Sequence, residues 1–256
     1  MSLVELPDLP VYPSNQTLSD VLGHALREYP RESCGLIVNA RGHERYEPAP
    51  NLSPADQHFA LDPLTYALIE ERAEVLTIVH SHPNARAKAS QADLVGCERS
   101  GLPWLIVAVP SGEFHIFRPC GYEAPLTGRQ FCYGVLDCYT LMQDWYRREL
   151  GIELPPPPLA AAKPGWWKRG PNGEPPQDLY MQGFAGAGFE RVEELRAGDV
   201  ILIQLQADVA NHCAVYLGDQ TILHHVWGRL SCREAWGGYW LKHARAFVRY
   251  QPGDGP

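Results

Sequence analysis

The first half of the sequence is organised around the stretch Val75–Pro83, VLTIVHSHP. Its apolar run predicts a buried β-strand. Residues two apart on a strand share a face, so the imidazoles of His80 and His82 should point the same way. Because Pro83 cannot donate a hydrogen bond to a sheet, we expect the strand to end there and to leave both histidines at its open end.

A carboxylate follows this strand at the spacing of a helix start. Ser90 and Asp93 stand three residues apart, which predicts a capping box that directs Asp93 back toward the strand end. Two imidazole nitrogens and one carboxylate are the protein ligands of a catalytic zinc site, in which water takes the fourth position. Upstream, Glu32 lies between a predicted amphipathic helix at 17–29 and a predicted strand at 34–38, and it is the candidate general base.

These residues, in this order and spacing, resemble the JAMM/MPN metallopeptidase signature over roughly residues 15–118. The resemblance implies an MPN-like mixed β-sheet flanked by helices. It further implies that His80, His82 and Asp93 hold Zn²⁺. Glu32 would then be the acid/base, and Ser90 would help to stabilise the oxyanion.

The chain is predicted to divide after two further strands, at Trp104–Val109 and 113–118. Beyond them the apolar periodicity lapses among glycine and proline residues. We therefore predict a first domain at 1–118, a linker at 119–130 and a second domain at 131–256. The segment 154–178 is too rich in proline for a helix or a central strand and is predicted to be a long loop.

A second set of candidate residues lies in the second domain. Asp137 is a predicted N-cap, which places the Cys138 thiol in the first turn of a helix, where a thiolate is stabilised. A cysteine nucleophile needs a base, and the base needs a third group to orient it. His212 begins a predicted hairpin. A three-residue turn would bring His224 to its face, whereas a two-residue turn would bring His225 there, and the sequence leaves this register open.

This part of the chain resembles the NlpC-type papain-like peptidases over about residues 131–250. The resemblance rests on Asp137-Cys138 at a helix start, Gly198-Asp199 before a strand, and His212 followed by Val215–Gly218. It implies a papain-like domain in which a helix packs on an antiparallel sheet. Cys138 would be the nucleophile, His212 the base and His224 the orienting residue. Tyr133 is the candidate for the tyrosine that lines the cleft in relatives.

Charge, apolar runs and cysteine spacing limit the classes of function that we expect for this chain. The 256 residues carry a net charge of −8 without a basic block, so nucleic-acid binding has no electrostatic support. Residues 1–15 do not form a signal-peptide pattern, and no apolar run reaches membrane-spanning length. The seven cysteines are irregularly spaced, which favours free thiols made in a reducing cytosol. Three of them could contribute to a further metal site: Cys120, Cys132 and Cys232.

The order of the two predicted domains, over nearly the whole chain, resembles the tail tip assembly protein K family of long-tailed bacteriophages. The two halves together give a mixed α+β and α/β fold class. The resemblance implies a tail-tip peptidase that cleaves peptidoglycan stem peptides so that DNA can enter, and that also takes part in tail tip assembly. Its expected partners are stem peptides and other phage tail-tip proteins. Its expected location is the virion tail tip, with synthesis in the host cytoplasm and action in the periplasm at the cell wall.

Two alternatives remain at the level of the sequence. One is a structural tail-tip adaptor whose catalytic sites are vestigial. The other is a cytosolic isopeptidase or maturation protease that acts during assembly, which the first domain alone would favour.

Overall fold

The computed structural model describes residues 13–53, 58–156 and 165–251, and the chain divides between Glu123 and Ala124 into two compact units. The elements of the first unit are α1 Asn15–Glu28, β1 Cys34–Ala40, β2 His43–Ala49, α2 Pro63–Glu70, β3 Glu74–Pro83, α3 Gln91–Ser100, β4 Trp104–Val109 and β5 Phe114–Phe117. Those of the second are α4 Cys138–Trp145, a π-helical turn Tyr146–Leu150, α5 Leu179–Gly186, β6 Phe189–Val192, β7 Val200–Ile203, β8 His212–Gly218, β9 Thr221–His224, β10 Cys232–Ala235, α6 Gly238–His243 and β11 Ala244–Tyr250.

The first unit is a five-stranded mixed sheet in the order β2-β1-β3-β4-β5. Only the pairing of β3 with β4 is parallel, and α3 connects these two strands. As predicted, β3 ends at Pro83, and α3 begins with a capping box between Ser90 and Asp93. The strand end and the helix start therefore lie at the same edge of the sheet.

Helices cover both faces of this sheet. Val21 and Ala25 of α1 pack against Val79 on one face, whereas Ile69 of α2 and Cys97 of α3 belong to the apolar cluster on the other face. This is the predicted MPN-like arrangement of a mixed sheet between helices. It buries Thr77–Ser81 of β3, so the orientation of His80 is fixed.

The second unit is a six-stranded antiparallel sheet in the order β10-β9-β8-β7-β11-β6. Its main apolar cluster includes Leu141 and Met142 of α4, Phe184 of α5 and Val200 of β7. A helix packed on an antiparallel sheet is the predicted papain-like arrangement. The predicted fold class is thus confirmed for both units.

The β8–β9 hairpin differs from both predicted turns. Asp219 and Gln220 form a two-residue turn with positive φ values of 47° and 54°, and Gly218 faces Thr221. A bulge at Leu217 then shifts the pairing by one residue, so that Ala214 lies opposite His224. The short turn alone would have favoured His225, but the bulge restores the alignment of His212 with His224.

The second half of the predicted linker is packed into the second unit. Arg129 is fully buried, and its guanidinium lies 2.7 Å from the Asp144 carboxylate and donates to the Ala124 carbonyl at 3.0 Å. Its backbone N–H donates to the hydroxyl of Ser231 at 3.0 Å. Glycine and proline interrupt regular structure here without preventing close packing, so residues 124–130 belong to the second unit.

Two further segments concern the sequence predictions. Residues 157–164 of the proline-rich segment, like residues 1–12 at the start of the chain, lie outside the described residues. In the described remainder of that segment, Trp166 packs against the core of the second unit.

Within the described parts of the chain, we find no helix with the length and apolar character needed to cross a membrane.

Gly96 allows α3 to approach the sheet closely. A Cβ at this position would overlap the indole ring of Trp104, which packs edge-on against His80 with ring centroids 5.5 Å apart. We expect Gly96→Ala to lower the free energy of unfolding by about 1–3 kcal/mol, measured by urea denaturation, because the indole must move within a packed core. The control Gly23→Ala in α1 would meet only the end of the Arg27 side chain at 3.5 Å. It should be neutral or stabilising by up to about 1 kcal/mol. Equal stability of the two variants would contradict this account of Gly96.

Candidate active sites

The first candidate site is a cluster of three side chains at the end of β3. His80 Nε2 and His82 Nε2 lie 3.1 Å apart. Asp93 places Oδ1 3.2 Å from the first nitrogen and Oδ2 3.5 Å from the second. The structure thus brings together all three residues that the sequence predicted as metal ligands.

Local structure explains why these atoms converge. The pleat of β3 points His80 and His82 to the same face, and the capping box holds Asp93 at the start of α3. In that box the Ser90 N–H donates to Asp93 Oδ2 at 2.7 Å, and the Asp93 N–H donates to Ser90 Oγ at 3.1 Å. Phe59 stacks on His80 with ring centroids 4.4 Å apart, which further restricts that ring.

The donor set fits a zinc ion. Two imidazole nitrogens and one carboxylate supply three protein ligands and leave a fourth position open. His82 Nδ1 lies 3.2 Å from the Arg86 carbonyl, so its proton belongs on Nδ1 and the lone pair of Nε2 faces the cluster. Although burial raises the pKa of Asp93, hydrogen bonds from the two histidines hold it well below its usual range. The carboxylate is therefore charged, as a metal ligand must be.

The other two predicted residues of this site are also beside the cluster. Glu32 is buried, and burial raises the pKa of its carboxyl to about 8, with opposing effects from the charges of His82 and Asp93. A carboxyl that titrates near neutrality suits the exchange of protons. Ser90 is accounted for by its capping hydrogen bond, and any contribution to an oxyanion would be additional.

The second candidate site lies at the start of α4. Asp137 caps this helix: its side chain accepts from the N–H groups of Tyr139 and Thr140, both at 3.0 Å. The N–H of Gly134 also donates to this carboxylate at 2.9 Å. The helix therefore begins at Cys138, as the sequence predicted, and its sulfur lies in the first turn.

The surroundings of Cys138 favour the thiolate. A hydrogen bond with the Cys213 thiol, and then the hydrogen bond and charge of His212, lower the pKa of the Cys138 thiol well below its usual range against the effect of burial. The hydroxyl of Tyr180 lies 3.2 Å from Cys138 Sγ. Burial raises the pKa of Tyr180 well above its usual range, so the hydroxyl keeps its proton and can donate it.

A line of polar groups continues from His212 across the sheet. His212 Nε2 lies 3.2 Å from His224 Nδ1, which leaves Nδ1 of His212 for the cysteine. His224 Nε2 in turn lies 3.7 Å from Glu234 Oε2. Burial, and then the charge of His212, lower the pKa of His224 to about 4, so His224 is neutral near pH 7. A neutral ring with its proton toward Glu234 accepts a hydrogen bond from His212 and orients it.

Several residues of this site were not predicted from the sequence. The tyrosine in contact with the sulfur is Tyr180, whereas the candidate Tyr133 has an electrostatic interaction with Cys138. Asp178 caps α5, which carries Tyr180. An N-capping aspartate is a local sequence signal that indicates the start of a helix. Its placement beside Cys138 is a tertiary contact that no local signal indicates.

The fold and the two clusters define a class: a two-domain protein that joins a JAB-type unit to an NlpC/P60-type unit. Family profiles agree with this division. Residues 14–119 match the prokaryotic homologs of the JAB domain, and residues 128–249 match the NlpC/P60 family.

Comparison with whole proteins gives the particular family. The chain is 37% identical to tail tip assembly protein K of Escherichia phage N15, over 92% of this chain and 95% of that protein. It is 34% identical to tail tip assembly protein K of Escherichia phage lambda, over 75% of this chain and 89% of that protein. The chain belongs to the tail tip assembly protein K family. It is also 36% identical to a probable TtuB-protein conjugate cleaving protease of Thermus thermophilus, over 46% of this chain and 82% of that protein.

The lowered pKa of Cys138 predicts a thiolate that persists as the pH falls below the ordinary thiol range. Titration of thiolate absorbance in the ultraviolet should show one such group in the wild type. Cys138→Ala should remove it, and His212→Ala should move its transition to higher pH because a stabilising hydrogen bond is lost. The exposed Cys120 provides the control, since Cys120→Ala should leave the transition in place. Identical titrations of the wild type and Cys138→Ala would show that Cys138 is an ordinary thiol.

Proposed function

We propose that this chain is a phage tail-tip peptidase that cleaves peptidoglycan stem peptides and so helps DNA to cross the cell wall. The observation that carries the proposal is the alignment of a low-pKa cysteine with a pair of histidines at a capped helix start. Membership of the tail tip assembly protein K family supports the phage context, and the NlpC/P60 match supports a peptidase.

The residues of the second unit provide the groups for thiol catalysis. His212 takes the proton of Cys138, and the thiolate attacks the carbonyl carbon of a stem peptide. The C–N bond breaks as His212 returns the proton to the leaving amine, and water then hydrolyses the thioester and releases the acyl group from the sulfur. His224 is the positioning residue that holds His212 in the productive tautomer. Because Asp137 takes the N–H groups of Tyr139 and Thr140, we assign the N–H of Cys138 to the developing oxyanion. The protonated hydroxyl of Tyr180 lies 3.2 Å from Cys138 Sγ and is a further hydrogen-bond donor beside the reacting sulfur.

The residues of the first unit provide the groups of a metallopeptidase. We propose that His80, His82 and Asp93 hold Zn²⁺, which supplies a Lewis acid that acidifies water and polarises a carbonyl. Glu32, whose pKa burial raises to about 8, would accept a proton from the attacking water and deliver it to the leaving group. Ser90, fixed by its capping bond, is the proposed oxyanion donor on the helix side of the cluster.

Membership of the family supports a proposal for the location and the partners of this protein. We propose that the protein acts at the tail tip, in contact with other tail-tip proteins, and reaches the stem peptides in the host periplasm. The net charge of −8 gives nucleic-acid binding no electrostatic support, so DNA itself is not a proposed ligand.

A second candidate function concerns the first unit. The similarity to a probable TtuB-protein conjugate cleaving protease favours an isopeptidase that removes a conjugated protein or processes a tail protein. The two proposals use different residues and can both hold, because each unit carries its own cluster.

Digestion of purified muropeptides, followed by mass spectrometry, tests the thiol mechanism. We expect the wild type to release the fragments of a cleaved stem peptide and Cys138→Ala to lower the rate by more than about 10⁴-fold, because the nucleophile is lost. Glu32→Gln is the matched control in the other unit and should digest normally. Equal products from wild type and Cys138→Ala would overturn the cysteine mechanism. Loss of cleavage in Glu32→Gln alone would assign it to the first unit.

Metal content tests the first unit. After zinc loading and removal of free metal, His80→Ala and Asp93→Ala should each contain one zinc equivalent less than the wild type, measured by plasma mass spectrometry. The exposed His43 on β2 gives the control, since His43→Ala should keep that equivalent. A chelator should lower the thermal midpoint of the first unit in the wild type but not in His80→Ala, because the ion binds only the folded form. The same zinc content in wild type and His80→Ala would contradict the metal site.

A further inference from the structure

A third cluster of metal-binding groups lies on the far side of His224 from the cysteine. Cys232 of β10 is directly opposite His224 of β9, and Glu234 follows two residues later on the same face. Cys232 Sγ lies 3.8 Å from His224 Nε2 and 3.5 Å from Glu234 Oε1. His224 Nε2 and Glu234 Oε2 are 3.7 Å apart. An imidazole nitrogen, a thiol and a carboxylate therefore converge.

The spacing of these three side chains suits a tetrahedral ion. Zinc–sulfur bonds of about 2.3 Å and zinc–nitrogen or zinc–oxygen bonds of about 2.0–2.2 Å place neighbouring ligand atoms about 3.3–3.6 Å apart. Cys232 Sγ and His224 Nε2 are 3.8 Å apart, and they lie 3.5 Å and 3.7 Å from different oxygens of Glu234. A rotation of that carboxylate must therefore bring one oxygen to both atoms, and the sulfur and the nitrogen must approach each other by a few tenths of an ångström. Side chains fixed on two paired strands can make that adjustment without a change of fold.

The surroundings of the cluster leave room for a cation. Trp240 donates its indole N–H to Glu234 Oε2 at 2.9 Å, which holds the carboxylate in place. Arg229 is the competing cation, with its guanidinium 2.6 Å from Glu234 Oε1. Its side chain is 56% exposed, so it can turn into solvent when an ion binds. A thiolate and a carboxylate then neutralise a divalent charge, and the soft sulfur selects a thiophilic metal.

We propose that His224, Cys232 and Glu234 bind a thiophilic divalent cation such as Zn²⁺, and that this ion inhibits the neighbouring thiol site. Binding forms one bond from each side chain and releases the thiol proton of Cys232 to solvent. The inhibitory half rests on the proposed function of Cys138 and His212. The binding half stands on the geometry alone.

We expect inhibition because a metal bond at one nitrogen of the His224 ring fixes the ring proton on the other nitrogen. In the metal-free state His224 Nδ1 accepts from His212 Nε2, and the nitrogens are 3.2 Å apart. A metal bond at His224 Nε2 leaves the ring proton on Nδ1, which then has to donate. His212 Nε2 must accept, so the proton of His212 sits on Nδ1, the nitrogen left for Cys138. That nitrogen can no longer take the thiol proton.

Cobalt binding by the full-length protein tests the site without reference to activity. A cobalt–thiolate bond gives a charge-transfer band in the near ultraviolet, and the first unit's cluster contains no cysteine. We expect the wild type to show this band, and Cys232→Ser to lose it and to bind the metal about 100-fold more weakly or worse. Cys120→Ser and Cys138→Ala should keep the band. Absence of the band in the wild type, or its persistence in Cys232→Ser, would overturn the site, and its loss in Cys138→Ala would assign the ion to the nucleophile instead.

Zinc titration of muropeptide cleavage tests the inhibitory half. Zinc should slow the wild type by about 100-fold, the size of a general-base contribution, whereas Cys232→Ser should be active and resist this inhibition. Equal inhibition of both proteins would overturn the inhibitory half. If the metal-free wild type cleaves no muropeptide, the proposed function fails, while the cobalt band still decides whether the metal site exists.

Discussion

Both candidate sites depend on the pleat of a β-strand, which sends side chains two residues apart to one face. In the first unit the pleat of β3 makes His80 and His82 neighbours, and a capped helix start supplies Asp93. In the second unit the pairing of β8 with β9 aligns His212 with His224. A one-residue slip in either strand would turn a histidine to the opposite face and dismantle the site.

The two sites stabilise buried charged groups in different ways. In the first, a charged carboxylate and two imidazole nitrogens converge, an arrangement that a cation completes. In the second, the hydrogen bond with Cys213 and the charge of His212 favour a thiolate on Cys138, while burial keeps His224 neutral near pH 7. Burial opposes both charges, because it raises the pKa of Asp93 and of Cys138, so each charge depends on its hydrogen-bonding partners.

The parts of the structure that were predictable from the sequence are those set by local signals. A proline ends β3, and serine or aspartate caps begin α3 and α4, so the placement of His80, His82, Asp93 and Cys138 follows from residues close to them in the chain. The hairpin register was not predictable, because a bulge at Leu217 offsets the effect of the short turn.

Long-range contacts account for the rest. Tyr180 reaches the cysteine from a helix beyond the proline-rich segment, and Arg129 is buried by partners that include Ser231, 102 residues away. The position of Glu234 beyond His224 depends on β10 joining the sheet. Propensity and periodicity describe neighbours along the chain, so they carry no information about such partners.

The central claim is that Cys138 is the nucleophile toward a stem peptide. A stem-peptide mimic with a chloromethyl ketone in place of the scissile carbonyl tests it most directly, because the attacking thiolate displaces chloride and forms a thioether that survives digestion of the protein. Intact-protein mass spectrometry with peptide mapping should find one adduct per chain, on Cys138. An adduct on another cysteine, or none from a preparation that cleaves stem peptides, would contradict the account.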